Sequence, residues 1–155
     1  ANSITSLSDL AAYSKTHPLT LAGPPECPSR PYCEPGLKKT YGMNIAHFRQ
    51  TDPDGPLTRK ALTSGKADVG LVFSSDADLP GLGLTVLTDD KQLQSSDNIV
   101  PIVASSLSTG AAAAVLNAIS AALDQTTLVD LNKAVIVDKG TSEQVATQFV
   151  AQNLS

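Results

Sequence analysis

The chain has 155 residues, a formal net charge of −4, 41% hydrophobic residues and 17% charged residues. This length allows one domain or one and a half small ones, and the composition is that of a chain that buries a core. No run of lysine and arginine exceeds two residues, which argues against nucleic-acid binding. No apolar stretch approaches the roughly 20 residues of a membrane span, and no signal peptide is recognisable in the sequence.

The first hundred residues alternate between predicted strands and predicted helices. Ser6 or Ser8 can cap a first helix, and His17-Pro18 ends it. Gly42 and Gly65 are predicted to end the next two helices. The predicted strands cover residues 19–23, 44–48, 67–75, 84–90 and 98–103, and the predicted helical segments cover residues 36–42, 57–65 and one turn at 76–79. Pro101 suggests that the last strand lies at an edge or crossover.

The sequence becomes helical throughout after residue 104. Three helices are predicted there, with Thr126 or Thr127 and then Thr141 or Ser142 as candidate caps. Strands and helices that alternate in this way predict an α/β fold with a mostly parallel central sheet flanked by helices. The all-helical C-terminal tail follows that sheet without a polar linker.

Both cysteines of the chain lie in the stretch GPPECPSRPYC, residues 23–33. Five residues separate Cys27 from Cys33, which fits no zinc-binding pattern. Two cysteines around a proline-rich turn suit a local disulfide, which would stabilise the fold by roughly 2 kcal/mol. Such a bond implies an oxidising compartment. The alternative is a pair of unrelated buried thiols.

Few residues support catalysis, a metal ion or a cofactor. His17 and His47 have no recognisable triad partners, and no serine lies in a nucleophile-elbow motif. The acidic pair Asp89-Asp90 is predicted to be solvated, and Asp52 and Asp54 belong to a turn rather than to a calcium-binding loop. The sequence therefore predicts no enzyme, no metal site and no cofactor, and a hydrolase or transferase is the weakest hypothesis.

Two polar loops follow predicted strands, where open α/β sheets collect their ligands. One loop is residues 23–33, and the other is FSSDADL, residues 73–79. Arg30 in the first loop could hold a carboxylate or phosphate through its planar fork. The alternative is a solvated or structural arginine, paired with Glu26 four positions earlier.

Several motifs occur in an order that resembles a known family. They are SLSDLAAYS, LTLAGPPECPSRPYCEPGLKKTYG, ALTSGKADVGLVFSSDADL, LTVLTDDKQ and NIVPIV followed by helices. Each motif is weak alone, but their order and spacing over nearly the whole chain resemble the substrate-binding component of ABC importers for glycine betaine, choline and related osmoprotectants.

The resemblance implies a two-lobe clamp of the type II periplasmic-binding-protein fold. Residues 4–98 would form the second lobe, and residues 99–155 would supply a hinge strand and helices that return to the first lobe. The first lobe, about a hundred residues in this family, would be missing. The chain would be either a trimmed piece or the ligand-binding half of a longer product, and its start at Ala1 favours the first.

The resemblance also implies roles for individual residues. Arg30 matches the arginine that grips the ligand carboxylate, and Asn98 falls near the second hinge, where some relatives carry a tyrosine. The implied ligand-binding residues are Arg30, Tyr32, Phe73, Ser74, Ser75, Asp76 and Asn98. Aromatic residues make up only 4% of the chain, so an aromatic cage for a quaternary ammonium is not demonstrable in this lobe, and a different solute stays an alternative.

The expected function is therefore capture of a small osmoprotectant-like solute for an ABC permease by closure of two lobes. The expected location is extracytoplasmic, as a periplasmic, secreted or cell-surface protein whose only membrane attachment is a lipid anchor outside this segment. The alternative is an effector-binding domain of a regulatory protein that has the same fold. Two free thiols would favour this alternative.

Overall fold

The structure, a computed structural model, describes residues 4–153. It divides into two compact units. Unit 1 comprises the described residues up to Ser74 together with Leu79–Ser95, and unit 2 comprises Ser75–Asp78 and the described residues from Ser96 onwards.

A three-stranded parallel sheet is the centre of unit 1. Its strands are β1 (Leu19–Gly23), β2 (Ile45–Gln50) and β3 (Val69–Gly70), in the order β2-β1-β3. In both pairings β1 runs parallel to its neighbour. The prediction of an α/β fold with a mostly parallel sheet is therefore confirmed, because parallel strands joined by helical crossovers define that class.

Helices cover both faces of this sheet. Helix α1 (Leu7–Ser14) begins with a capping box, in which the Ser6 side chain accepts from the Asp9 amide and the Asp9 carboxylate accepts from the Ser6 amide. Helix α2 (Glu34–Gly36) continues as a π-helical turn, Leu37–Tyr41, and ends at Gly42, whose φ of 65° is left-handed. Helix α3 spans Pro56–Thr63.

The core lies mainly between β1, β2, α1 and the α2 segment, by which we mean helix α2 together with the π-helical turn that follows it (residues 34–41). Its buried members on this face are Leu10, Ala11, Leu19, Leu21, Cys27, Cys33, Leu37, Tyr41, Met43 and Ile45. On the opposite face, α3 packs against the sheet through a cluster of small buried side chains, Ala22, Ala61 and Ala67. Gly70 permits this close packing, since a Cβ there would lie 3.0 Å from Leu62 Cδ1.

Three strand predictions were wrong: one strand is much shorter than predicted, and the other two do not form within the described residues. The strand expected at 67–75 is reduced to β3, because its partner β1 ends at Gly23 and only the Leu71 amide extends the ladder, to the Ala22 carbonyl at 3.0 Å. Residues 84–90 have no adjacent strand among residues 4–153 and make a single bridge there, Ser6↔Thr88. Residues 98–103 are exposed and form no strand, consistent with Pro101, which lacks the amide hydrogen that a ladder needs. The helical turn expected at 76–79 occurs instead at Pro80–Leu82.

Unit 2 consists mainly of the three predicted helices. They are α4 (Gly110–Ala122), α5 (Gln125–Ile136) and α6 (Ser142–Asn153). Asp124, rather than Thr126 or Thr127, caps α5 by accepting from the Thr127 amide at 2.7 Å. Thr141 caps α6 as predicted, in a reciprocal pair with Gln144.

No single helix between residues 4 and 153 has both the length and the apolar character needed to cross a membrane. By these two criteria alone, only α4 and α5 taken together pass, and they are bent by 88° at the break between them.

Candidate functional site

The carboxyl ends of the three strands meet at one edge of the unit 1 sheet. The parallel register places Gly23 beside Gln50 and Ala22 beside Gly70. The loops that leave this edge are residues 24–33 after β1, 51–55 after β2 and 71–74 after β3. We call these three loops the carboxyl edge. Parallel α/β sheets bind their ligands in this position.

A disulfide between Cys27 and Cys33 closes the first of these loops. Because the two sulfurs are bonded to each other, the alternative of two unrelated buried thiols is wrong. Both cysteines are buried, with 0% and 3% of their surface exposed. The Arg30 amide donates to the Glu26 carbonyl and the Cys33 amide donates to the Arg30 carbonyl, each at 2.9 Å. The bond and these successive turns hold the loop, hereafter the disulfide loop, in a defined conformation.

Arg30 is exposed at the middle of the disulfide loop. Within the described part of the chain, its guanidinium makes no hydrogen bond or ion pair. Glu26 contacts it only through the backbone, so the predicted alternative of a Glu26–Arg30 side-chain pair is not observed. A guanidinium on a constrained loop, with its five donors unused by the described residues, is available to a carboxylate.

Two aromatic side chains lie half-exposed in loops of the same edge. Tyr32, in the disulfide loop, is 49% exposed, and Phe73, after β3, is 51% exposed. The Phe73 amide donates to the Asp54 carboxylate at 3.0 Å, which fixes the backbone that carries this ring. Ser74, the next predicted site residue, is exposed in the same loop.

The other predicted site residues belong to unit 2. The Ser75 carbonyl accepts from the Asn132 side chain of α5 at 2.8 Å, and the Asp76 carboxylate accepts from the Asp78 amide at 2.9 Å. Asn98 is exposed in a segment without regular secondary structure. The structure thus brings Arg30, Tyr32, Phe73 and Ser74 to one sheet edge.

Sequence reasoning did not place residues 51–55, the loop after β2, at the candidate site. Asp52 caps α3, because its carboxylate accepts from the amides of Leu57 at 3.1 Å and Thr58 at 2.9 Å. Desolvation opposes ionisation of Asp52, but these hydrogen bonds outweigh it and lower its pKa. Asp54 is buried with a left-handed φ of 57° and holds Phe73. The available signal was an aspartate placed shortly before a proline-initiated helix.

Residues 88–94, hereafter the strap, lie against the α2 segment. The Asp89 carboxylate accepts from the Tyr41 hydroxyl and from the amides of Leu93 at 3.0 Å and Gln94 at 2.7 Å. The Lys91 amide in turn donates to the Tyr41 hydroxyl at 2.8 Å. The prediction that this acidic pair is solvated is therefore wrong for Asp89, because the backbone of the strap folds around its carboxylate.

Tyr41 gives a testable pH dependence. Burial and the hydrogen bond to Asp89 raise the pKa of Tyr41 to about 12, from 10.0. The folded state holds the hydroxyl proton of Tyr41 more tightly than the unfolded state. The stabilisation that this proton gives the folded state is therefore complete below pH 10 and is lost as the pH rises through 12. We expect the free energy of unfolding to fall across this window by an extra amount on the order of 2 kcal/mol.

Urea titrations of the wild-type protein and of Tyr41→Phe between pH 9 and 12 measure this effect. Tyr41→Phe keeps the remaining tyrosines and all lysines, including Lys91, whose ammonium lies 5.1 Å from the centre of the Tyr41 ring. The neighbouring carboxylates Asp89 and Asp90 stay ionised throughout the window. Parallel stability curves for the two proteins would refute the assignment.

Comparison with known proteins identifies the family. The chain matches the OpuAC family, the substrate-binding domain of ABC-type glycine betaine transport systems, over residues 1–152. The chain belongs to this family. The resemblance found in the sequence motifs is thereby confirmed, and the members of the OpuAC family are substrate-binding proteins of transport systems.

The OpuAC relatives include the glycine betaine-binding protein YehZ of Escherichia coli K12, which is 28% identical over 160 residues that cover 97% of this chain and 52% of YehZ. A crystal structure of a glycine betaine/carnitine/choline ABC transporter is similar with a TM-score of 0.71 and 25% identity, over 96% of this chain and 54% of that one. The structure of apo YehZ from Escherichia coli is also similar, with a TM-score of 0.60 and 24% identity over 97% of this chain and 57% of that one. This similarity supports the assignment of the fold.

The chain thus spans about half the length of the OpuAC relatives that it matches.

Proposed function

We propose that this chain captures a small osmoprotectant-like solute, of the betaine or choline type, for an ABC importer. The observation that carries the proposal is the Arg30 guanidinium, which has no protein partner among the described residues. It projects from a disulfide-closed loop on the sheet edge that also carries Tyr32 and Phe73. Family membership supplies the transport context.

The chemistry of this edge fits a zwitterion with a quaternary ammonium. Arg30 would pair with the carboxylate in a bidentate, charge-assisted arrangement. Tyr32 and Phe73 offer exposed ring faces, and cation–π attraction to such rings contributes roughly 0.5–2 kcal/mol each. The names of the relatives mention glycine betaine, carnitine and choline, which share this cationic group. Ser74, Ser75, Asp76 and Asn98 are proposed as the remaining ligand-binding residues.

The mechanism that we propose is closure of two lobes around the solute, which is released unchanged to a membrane permease. Residues 4–98 would form the second lobe, and residues 99–155 would return to the first. The hinge would comprise the segments near residues 1–4 and 97–103, of which residues 1–3 lie outside the described part of the chain. Because binding and release involve no covalent step, the proposal excludes catalysis and needs no cofactor.

The buried disulfide supports an extracytoplasmic location, in the periplasm or at the cell surface. Attachment to the membrane would then use a lipid anchor outside this segment, as in a lipoprotein. The regulatory alternative receives no support from the comparisons, and the disulfide disfavours it because cytosolic thiols are kept reduced.

Isothermal titration of the full-length protein tests the proposal. We expect saturable binding of glycine betaine, carnitine or choline at micromolar concentrations, and no binding of glycine, which has the same carboxylate but lacks the methyl groups. Proline and phenolic compounds complete the panel, because they represent the alternative of a different solute. Binding of none of the three quaternary ammonium compounds would refute the proposed ligand class.

A further inference from the structure

The base of the strap is joined to the beginning of unit 1. The Thr88 amide donates to the Thr5 carbonyl at 3.0 Å, and the Leu7 amide donates to the Thr88 carbonyl at 2.9 Å. The Asp90 carboxylate accepts from the Ser8 amide at 3.2 Å, in the first turn of α1. These contacts fix where the strap starts.

The middle of the strap is a tight turn wound on one carboxylate. Besides the amides of Leu93 and Gln94, which donate to the Asp89 side chain, the Gln92 amide donates to the Asp89 carbonyl at 3.1 Å. Gln92 itself has a left-handed φ of 54°. Because Asp89 also accepts from the buried Tyr41 hydroxyl, the turn is held against the core, and the side chains that follow it have a defined direction.

The end of the strap reaches the disulfide loop. The Gln94 side-chain amide donates a hydrogen bond to the Tyr32 carbonyl, across 62 residues of sequence. A Cβ placed on Gly36 would lie 2.7 Å from Leu93 Cδ1 and 2.3 Å from the Pro31 carbonyl oxygen, so Leu93, Gly36 and Pro31 are close-packed. Pro31 and Tyr32 are the two residues that follow Arg30.

We propose that the strap is a positioning element for the ligand loop: Leu93 and Gln94 hold Pro31 and Tyr32 in place and thereby fix the direction of Arg30. The expected effect on ligand binding rests on the proposed function, whereas the contact between the strap and the disulfide loop does not. The disulfide joins the two ends of the loop, whereas the strap holds the residues that follow Arg30. Among the described residues, Gln94 provides the only side-chain hydrogen bond to the Tyr32 carbonyl. The strap ends one residue before Ser95, the last residue of unit 1.

Gln94→Ala in the full-length protein tests this inference, with Gln92→Asn as the matched control. Gln92 lies in the same turn, its side chain makes no hydrogen bond within the described residues, and asparagine tolerates its left-handed backbone. Gln94→Glu is a second variant, because it keeps the size of the side chain but removes the donor. Three quantities are measured: the rate of disulfide reduction by dithiothreitol without ligand, the glycine betaine affinity, and the melting temperature.

We expect both Gln94 variants to speed reduction about 5-fold and to weaken betaine binding about 5-fold, which is the net effect of one hydrogen bond. The buried sulfurs react only when the loop opens, so the reduction rate reports loop opening. The melting temperature of both Gln94 variants should fall by about 2–4 °C, because the same hydrogen bond is also lost on global unfolding. Gln92→Asn should change none of the three quantities.

An unchanged reduction rate in Gln94→Ala would overturn the inference. Faster reduction with unchanged betaine affinity would also overturn it, since the loop would then loosen without effect on Arg30. If the wild-type protein binds no betaine, the proposed function fails, and the reduction rates alone decide whether the strap holds the loop.

Discussion

Arg30→Ala is expected to weaken the binding of glycine betaine about 100-fold, because it removes the only charge on the disulfide loop that can pair with the ligand carboxylate. The guanidinium has no protein partner among the described residues, so its loss leaves no buried charge behind in the protein. We therefore expect the melting temperature without ligand to stay close to that of the wild type. Isothermal titration of both proteins measures the affinity difference.

Choline provides the internal control for this prediction, because it carries the quaternary ammonium but no carboxylate. Its affinity should change less than 5-fold in Arg30→Ala, the range of a single neutral contact. Arg30→Lys should be intermediate for betaine, since an ammonium keeps the charge but not the bidentate fork. Equal losses for betaine and choline would show that Arg30 shapes the loop rather than pairs with the carboxylate.

Local sequence signals were sufficient to predict the helices and strands whose ends are marked by a capping residue, a glycine or a proline. The capping residue Ser6, the C-terminal Gly42 and the helix after Pro56 were all recognisable because capping depends on neighbours within a few residues. The strand at 19–23 was predicted with its observed bounds, since its apolar run ends at a glycine. These elements were enough to predict the α/β class and to place Arg30 after a strand.

The extent of the other strands could not be predicted, because a strand exists only where a neighbouring strand is long enough to pair with it. The apolar residues after Gly70 fit a strand equally well, but β1 has already ended beside them. Residues 84–90 likewise have strand character, but among the described residues they form only the single bridge Ser6↔Thr88, and their last three residues begin the strap. Tertiary context decides such cases against propensity.

The support of the candidate site was the least predictable part. Tyr41 and Asp89 are 48 residues apart in sequence, and Gln94 and Tyr32 are 62 apart, and each pair includes at least one residue in an irregular segment. No periodicity reports such contacts, since they depend on the path of the loops in space. The acidic pair was consequently interpreted as solvated, although one of its members organises the strap.

Removal of the disulfide should have the largest effect on stability. We expect Cys27→Ala/Cys33→Ala to lower the free energy of unfolding of unit 1 by about 3 kcal/mol. Roughly 2 kcal/mol follows from the greater freedom of the unfolded chain, and the remainder from the lost packing of two buried sulfur atoms. Urea titrations followed by far-ultraviolet circular dichroism measure this difference.

Ser29→Ala, in the same loop, is the matched control, because its hydroxyl donates only to the Glu26 carbonyl at 3.1 Å and its removal should cost less than about 1 kcal/mol. The double cysteine variant should also lose affinity for betaine, since Arg30 would then be carried by a loop that has lost its covalent closure. If stability falls by the expected amount while betaine affinity is unchanged, the disulfide stabilises the core without orienting Arg30. A loss below about 1 kcal/mol would instead show that the turns from Pro24 to Cys33 hold the loop without the bond.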